Sequence, residues 1–166
     1  MKVTLVMVSS VDGITSRAPG ESVSTWSSLE DQKYFQELVK KYDAVITGSK
    51  SFHKKIANIP YFIYSRTRKS TNGELKNKVF FTSLPPTELL SNLPKETENV
   101  LLLGGEEINT LFLRENLVNQ LVLTVEPKLF GSGKHLLSDI IIKNLRLVGV
   151  KKLNPQGTLI LTYEVI

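Results

Sequence analysis

Several residue types that would indicate a particular function are missing or rare in this chain of 166 residues. It contains no cysteine, which excludes disulfides and thiolate metal sites. Only two histidines, His53 and His135, are present, so a histidine-based metal centre is not expected. No apolar run approaches the roughly 20 residues of a membrane span, and no cleavage site follows the short apolar run at the N-terminus. These absences predict a cytoplasmic protein without a metal or a membrane segment.

The residues that are present indicate one globular domain with an uneven charge. With 41% hydrophobic and 22% charged residues, 1–166 are expected to form a single domain with a substantial core. The net charge of +5 is concentrated between Lys50 and Lys78, where eight basic residues stand against Glu74 alone. Such a segment suits an anionic ligand, although a solvated basic loop explains it equally well. Nucleic acid is not expected as the ligand, because basic and aromatic residues do not alternate as in a stacking platform.

The hydrophobic pattern predicts strands that alternate with helices. Apolar runs predict strands over 2–8, 43–47, 59–65, 79–82, 100–103, 120–126, 145–153 and 158–165. Amphipathic spacing and start signals predict helices over 28–42, 48–56, 85–93 and 106–117. The order β-α-β-α-β-β-α-β-α-β-β-β predicts an α/β fold, with a mostly parallel mixed sheet and a C-terminal antiparallel hairpin.

Glycines and polar residues follow several of the predicted parallel strands, at the edge where such sheets bind ligands. These segments are 9–13, 48–51, 65–68, 104–105 and 126–133. Gly104-Gly105 lies between a strand and a helix, where backbone N–H groups can approach a phosphate, although the pair can also be a plain turn. Glycine, two hydroxyls and Lys50 in the 48–51 segment could hold a phosphate in the same way.

Asp31 is an acidic residue on the apolar side of the helix predicted over 28–42. Ser27 and Glu30 form a capping-box pattern at its start, and Phe35 and Val39 belong to its apolar face. Asp31 lies four residues before Phe35 and therefore projects from that face. A carboxylate there is costly unless it is hydrogen-bonded or functional. Asp31 either satisfies N–H groups of the first turn or lines a pocket, where it binds or protonates a substrate.

Five motifs together resemble the dihydrofolate reductase-like superfamily, and within it the pyrimidine reductase domain at the C-terminus of bacterial riboflavin-biosynthesis deaminase/reductases. They are Ser10-x-Asp12-Gly13, Asp43-Ala-Val-Ile-Thr-Gly48, Leu102-Leu-Gly-Gly105, Leu117-Val-Asn-Gln-Leu121 and Glu126-Pro-x-Leu-Phe-Gly-x-Gly133. The motifs occur in the family's order and spacing. The resemblance implies a three-layer α/β/α fold and an NADPH-dependent oxidoreductase acting in CH–OH or CH–NH chemistry. It also implies a homodimer and a small heterocyclic or sugar-bearing substrate.

The resemblance also implies which residues bind NADPH. Those expected near the cofactor phosphates are Thr47, Gly48, Ser49 and Ser51, at the start of a helix, and Gly104, Gly105, Glu106 and Ile108. Those expected around the 2′-phosphate of the adenosine are Ser65, Arg66 and Thr67. Those expected to border the nicotinamide are Val11, Asp12, Gly13 and the 127–133 loop. A fixed positive charge such as that of Arg66 selects NADPH over NADH, because a dianionic phosphate requires it.

The substrate side resembles two families at once. The Asp-Asp-Pro-x-Leu-x-x-Arg run usual in riboflavin reductases is absent from the 54–64 segment. Trp26-x4-Asp31-x3-Phe35 is similar to the dihydrofolate reductase pattern whose acid helps to protonate a pteridine, although that enzyme's intervening proline is missing. We expect a 5-amino-6-(5-phosphoribosylamino)uracil reductase-like activity, with a pterin reductase or a non-catalytic nucleotide-binding protein as alternatives. Asp31 is the expected catalytic acid or substrate anchor, and Ser10, Trp26 and Phe35 are its expected substrate-binding neighbours.

Overall fold

Eight strands form one continuous sheet in the computed structural model, which describes residues Met1–Ile166. The strands are β1 (Lys2–Ser10), β2 (Ala44–Gly48), β3 (Tyr61–Tyr64), β4 (Val79–Thr82), β5 (Asn99–Leu102), β6 (Gln120–Glu126), β7 (Leu145–Lys152) and β8 (Leu159–Val165). Their order in the sheet is β4-β3-β2-β5-β1-β6-β8-β7. All pairs from β4 to β6 are parallel, and β8 pairs antiparallel with both β6 and β7. The predicted α/β fold with its C-terminal antiparallel hairpin is confirmed.

Four α-helices connect the parallel strands. They are α1 (Leu29–Val39), α2 (Asn72–Lys76), α3 (Pro86–Ser91) and α4 (Glu106–Arg114), and a 3-10 turn, Val23–Thr25, precedes α1. None of the helices is long and apolar enough to cross a membrane. α2 was not predicted, because its five residues bury no side chain and carry no apolar periodicity.

The helix predicted over 48–56 is wrong. The N–H groups of Ser51 and Phe52 both donate to the Gly48 carbonyl, which makes a single turn, and no helix follows it. Further along the segment, the N–H of Ile56 donates to the Tyr61 hydroxyl at 3.0 Å instead of to a helical carbonyl. A single isolated turn is unfavourable in water unless an apolar face packs it against the core, and five polar residues in this segment are exposed.

The bounds of α1 also differ from the prediction. Its N-cap is Ser28, whose hydroxyl accepts a hydrogen bond from the Asp31 N–H at 3.2 Å, so the capping box predicted for Ser27 and Glu30 is wrong. The helix ends at Val39 instead of Tyr42, because the chain then passes into i→i+3 turns.

The core lies on both faces of the sheet. On one face, Phe112 of α4 packs with Leu5 of β1 and Leu102 of β5. On the other face, Val39 of α1 packs with Ile63 of β3. Because the central strands are covered on both sides, they are continuous apolar runs, as their sequences predicted. Because β1, β2, β3, β5 and β6 run parallel, their carboxyl ends meet at one edge of the sheet.

Candidate functional site

A cleft of about 910 Å³ opens at the edge of the sheet where the parallel strands end. Two sets of residues that line it come from distant parts of the sequence. The first set, which we call the glycine group, is Thr47, Lys50, Ser51, Gly105 and Glu106. The second set, the aspartate group, is Ser27, Asp31, Tyr34, Phe35 and Thr124. The loop from Thr15 to Ser24 also contributes to the lining, so the cleft is bordered by three separate segments in addition to the strand ends.

The glycine group is built by close contact between the turns after β2 and β5. The Gly104 carbonyl accepts hydrogen bonds from the Gly48 N–H at 2.6 Å and from the Thr47 hydroxyl at 3.0 Å. Gly104 has a φ of +80°, and a Cβ on it would lie 3.1 Å from the Met7 sulfur. The peptide bond between Gly104 and Gly105 is cis. A side chain at Gly104 would therefore be strained by the positive φ and would press on the Met7 side chain.

The N-terminus of α4 faces this contact without a side-chain cap. Gly105 occupies the N-cap position, and no side chain accepts a hydrogen bond from the first-turn N–H groups. Two lysines lie beside the acids of this turn: Lys134 is 3.2 Å from Glu106, and Lys50 is 3.9 Å from Glu107. Open N–H groups, the positive end of the helix dipole and neighbouring ammonium groups together suit an anion such as a phosphate.

Asp31 is the buried acid of the aspartate group. Its side chain forms no ion pair, and the residue is only 6% exposed although it lines the cleft. Burial raises the pKa of its carboxyl, the charge of Glu126 raises the pKa further, and the Thr124 hydroxyl opposes part of the effect. Since Ser28 provides the helix cap, the Asp31 carboxyl is left to face the cleft. A carboxyl that holds its proton at higher pH than usual can donate it to a bound molecule.

Glu126 is a buried residue of the candidate site that the sequence analysis did not identify. It is 1% exposed and accepts hydrogen bonds from the backbone N–H and the hydroxyl of Ser28, both at 2.7 Å, and from the Thr158 hydroxyl at 2.8 Å. The sequence placed it only within the glycine-bearing motif that follows β6. Its position at the end of a strand of alternating burial, on the same face as Thr124, was the available signal.

The residues expected to border the nicotinamide lie beside the cleft and are not among the residues that line it. The Asp12 carboxylate accepts hydrogen bonds from the Ser10 hydroxyl at 2.5 Å and from the N–H groups of Phe130 and Gly131. These bonds, above all that from Ser10, lower the pKa of Asp12 to about 2. Val11 is 62% exposed and Gly13 has a φ of +81°. These residues connect the end of β1 to the 127–133 loop.

The two expected aromatic neighbours of Asp31 are placed differently. Phe35 lines the cleft, one turn after Asp31 on α1. Trp26 is buried, and its ring meets the ring of Phe130 edge-on with the centroids 5.0 Å apart. Its indole N–H has no hydrogen-bond partner. Trp26 therefore joins the segment before α1 to the 127–133 loop.

The residues expected at the 2′-phosphate follow β3, next to the turn after β2. The Ser49 N–H donates to the Tyr64 carbonyl at 3.0 Å, which joins the two segments, while Ser49, Arg66 and Thr67 are exposed. Ser65 is half-buried, and its hydroxyl accepts from the Arg68 N–H. Ile108 lies behind the glycine group, where its side chain would be 3.3 Å from a Cβ on Gly48.

The sheet order and the cleft at its carboxyl edge define the dihydrofolate reductase-like class of α/β fold. More narrowly, the chain belongs to the RibD C-terminal domain family, whose model matches residues 1–159. The family and fold indicated by the five sequence motifs are thus confirmed.

Similar proteins include relatives and solved structures. The uncharacterized protein YyaP of Bacillus subtilis is 23% identical over 171 residues, which cover 90% of this chain and 88% of YyaP. The RibD structure from Acinetobacter baumannii is 22% identical with a TM-score of 0.82, and the match covers 99% of this chain and 58% of that one. A pyrimidine reductase-like protein from Corynebacterium diphtheriae is 14% identical with a TM-score of 0.75, covering 99% and 92% of the two chains.

Proposed function

We propose that this protein is an NADPH-dependent reductase, which transfers a hydride to a small polar substrate of the riboflavin-pathway pyrimidine type. The observation that carries the proposal is the single cleft that joins the glycine group to the buried Asp31. One part of the cleft suits the phosphates of a dinucleotide, and the other offers a proton donor for the atom next to the one that is reduced. Membership of the RibD C-terminal domain family supports the same chemistry.

The cofactor proposal depends on the positive charges and open N–H groups near the glycine group. We assign the pyrophosphate to the N-terminus of α4 and to the turn at Thr47–Ser51, where hydroxyls and Lys50 surround the cleft. We assign the adenosine 2′-phosphate to Arg66, because this guanidinium makes no hydrogen bond or ion pair. The neighbouring Arg68 is already paired with Glu74 and stacked on the Phe81 ring.

The protein's own contribution to the reaction would come from the aspartate group. NADPH supplies the hydride, and the protein orients both partners and provides the proton. Asp31 is the acid, since its carboxyl is buried, forms no ion pair and belongs to a residue that lines the cleft. Phe35 and Tyr34 would pack against a flat ring, and the loop from Thr15 to Ser24 would exclude water from it.

A pterin is the second candidate substrate. The observation in its favour is that Asp31 and Phe35, two residues of the pattern that resembles dihydrofolate reductase, line the same cleft one helical turn apart. A non-catalytic nucleotide-binding protein would need the glycine group but no buried carboxyl in the cleft. The burial of Asp31 therefore favours an enzyme over a binding protein.

Thermal unfolding with added nucleotide tests the cofactor proposal. NADPH should raise the melting temperature, because it binds only the folded state, and NADH should raise it less at equal concentration. Equal shifts would remove the 2′-phosphate assignment, and no shift with either would remove the cofactor. Oxidation of NADPH should then be followed with the riboflavin-pathway pyrimidine and dihydrofolate side by side. Asp31→Asn should lower kcat/KM for the active substrate by about 10²-fold or more.

We further propose that the protein is a homodimer that pairs through β7. This edge strand exposes apolar side chains, including Leu147, Val148 and Val150. An exposed apolar edge strand favours association with another chain. Light scattering should give twice the chain mass, and Leu147→Lys combined with Val150→Lys should give the monomer. Leu75→Lys, at an exposed position on α2, is the control that should remain dimeric. A wild-type monomer would contradict the homodimer proposal.

The cytoplasmic location of the protein stays a prediction.

A further inference from the structure

Asp31 lies next to a second buried acid, Glu126, whose carboxyl is surrounded by three hydrogen-bond donors. We infer that Glu126 is a positioning residue that stays ionised, fixes the first turn of α1 and holds Asp31 in its proton-donating form. This inference rests on the proposed reductase function for its catalytic meaning. It assigns to Glu126 and to the Asn154–Thr158 turn a role in the acid chemistry of the cleft.

The first step is the charge state that the hydrogen bonds impose on Glu126. One carboxylate oxygen accepts from the N–H and the hydroxyl of Ser28, and the other accepts from the Thr158 hydroxyl. Both hydroxyl oxygens are themselves acceptors, from the Asp31 N–H at 3.2 Å and from the Asn154 side-chain amide at 2.9 Å. The Ser28 N–H can only donate, and each hydroxyl has its proton free to donate to Glu126, although the Thr158 hydroxyl also lies 3.5 Å from that of Ser28. Three donors around one buried carboxyl favour its ionised form.

The second step is the absence of a cation beside this charge. Glu126 is 1% exposed and forms no ion pair with any lysine, arginine or histidine. Ser28 is the N-cap of α1, so the positive end of the helix dipole is the compensation that the fold provides. A buried anion stabilised only by dipoles repels a second anion that forms next to it.

The third step is that Asp31 lies close enough to Glu126 for this repulsion to act on its carboxyl. Thr124 and Glu126 lie on the same face of β6, under the first turn of α1. Ser28 connects Glu126 to the Asp31 backbone through two successive hydrogen bonds. Burial and the Glu126 charge both raise the pKa of the Asp31 carboxyl. The other ionisable groups around Asp31 are Glu30 and Tyr34 on α1 and, along the cleft, Glu21, Lys50, His53, Lys54, Tyr61, Glu106 and Lys134.

Because Glu126 acts at a distance from the substrate, its removal has a particular signature. Glu126→Gln keeps the size of the side chain and one acceptor oxygen but removes the charge. The pKa of Asp31 should then fall toward that of an ordinary aspartate. The pH above which NADPH oxidation declines should fall with it, while KM changes little. Loss of a merely structural contact would lower activity at all pH values alike.

The test is a carbon NMR titration of the ligand-free protein, labelled at the aspartate carboxyls. The chain has only four aspartates, Asp12, Asp31, Asp43 and Asp139, and Asp31→Asn identifies the signal of interest. In the wild type, Asp31 should titrate at higher pH than the other three. Glu126→Gln should lower its midpoint, while Glu30→Gln, which removes an exposed charge from the same helical turn, should not. An unchanged midpoint in Glu126→Gln overturns the inference.

Two further measurements keep the test decisive. If Glu126→Gln does not fold, the wild-type titration still decides, because an Asp31 midpoint among the other aspartates overturns the inference. Thr158→Val, which removes one donor but leaves the charge, should retain the high midpoint of Asp31. These titrations use the protein without cofactor or substrate, so their result does not depend on turnover. If the Asp31 midpoint behaves as expected but no substrate is reduced, the proposed function fails and the effect of Glu126 on Asp31 stands.

Discussion

The Asp12 carboxylate accepts a hydrogen bond of 2.7 Å from the backbone N–H of Gly131, which lies 119 residues later in the chain. The Phe130 N–H donates to the same carboxylate, and the Ser10 hydroxyl holds it from the other side. Asp12 therefore fastens the 127–133 loop to the end of β1. Any contribution of Asp12 to the nicotinamide environment would act through the position of this loop, because its oxygens are already engaged.

Asp12→Asn should release the 127–133 loop. In the wild type, the donors of Ser10, Phe130 and Gly131 share two carboxylate oxygens, whereas asparagine offers them only one. Exchange of the Phe130 and Gly131 N–H groups with deuterium should therefore become faster. Asp43→Asn is a matched control, since Asp43 accepts two backbone hydrogen bonds from Glu98 and Asn99 elsewhere. It should leave exchange in this loop unchanged. Equal exchange in Asp12→Asn and wild type would show that the loop is held by other contacts.

The same carboxylate should contribute to acid sensitivity. The folded-state pKa of Asp12 is lowered to about 2, below its ordinary value. Its stabilising effect is therefore present above the ordinary aspartate pKa and is lost as the pH falls toward 2. Between those limits, the melting temperature of wild type should fall more steeply with pH than that of Asp12→Asn. Parallel curves would contradict the assignment.

Gly133→Ala should destabilise the fold strongly. A Cβ at this position would lie 2.3 Å from the Ser16 carbonyl oxygen, and the φ of Gly133 is +150°. Ser16 and Lys134 form a β-bridge here, so the two loops cannot separate without losing backbone hydrogen bonds. We expect a loss of about 2 kcal/mol or more in the free energy of unfolding, measured by urea denaturation.

The control for this substitution is Gly73→Ala. Gly73 lies within α2, where a Cβ would meet nothing within 4 Å. Alanine should be neutral or stabilise the protein by about 0.5–1 kcal/mol, because it reduces the entropy of the unfolded chain. A Gly133→Ala protein as stable as Gly73→Ala would mean that the 15–24 loop can move away from the 127–133 loop at little cost.

Local patterns in the sequence were sufficient for the sheet and for part of the cleft. The bounds of β4 and β6 agree with the prediction, since apolar runs and flanking polar residues mark both ends. The burial of Asp31 also followed from helical spacing alone. The helix predicted after Gly48 was wrong because glycine, serine and lysine are equally typical of a helix start and of a single turn. Only the tertiary contact with Gly104 distinguishes the two.

Strand periodicity could place Glu126 on the face of Thr124, but its hydrogen-bonding role could not be derived from the sequence because its partners are distant in the chain. The donors that hold it, Ser28 and Thr158, are 98 and 32 residues away. No periodicity relates the three positions, and a glutamate before a proline more often ends a strand at the surface. The pairing of Arg68 with Glu74 and Phe81 is of the same kind, because it distinguishes Arg68 from the unpaired Arg66 and only the folded chain shows it.

Asp31→Asn should stabilise the protein at neutral pH while it impairs turnover. The folded-state pKa of Asp31 is raised, so the native state retains a proton that the unfolded chain has lost. Stability therefore falls as the pH rises from the ordinary aspartate value to the folded-state value, and the full loss persists above it. The uncharged amide avoids that loss. The melting temperature of Asp31→Asn should exceed that of wild type by more at pH 8 than at pH 4.

Glu30→Gln is the control for the Asp31 comparison, because it removes an exposed acid from the same turn of α1. Its difference from wild type should be small at both pH values. If Asp31→Asn is less stable than wild type at pH 8, the carboxyl is stabilised in its charged form, and its assignment as a proton donor fails.

The two arginines after β3 should differ in their effect on cofactor choice. Arg66 is exposed and makes no hydrogen bond, whereas the Arg68 guanidinium lies 4.2 Å from the centre of the Phe81 ring and is paired with Glu74. Arg66→Ala should weaken NADPH about tenfold or more, because a charge-assisted hydrogen bond to a phosphate is lost, and should leave NADH unchanged. Arg68→Ala should lower the melting temperature but preserve the ratio of the two affinities. Titration calorimetry of both variants with both nucleotides measures this ratio, and its loss in Arg68→Ala alone would transfer the 2′-phosphate from Arg66 to Arg68.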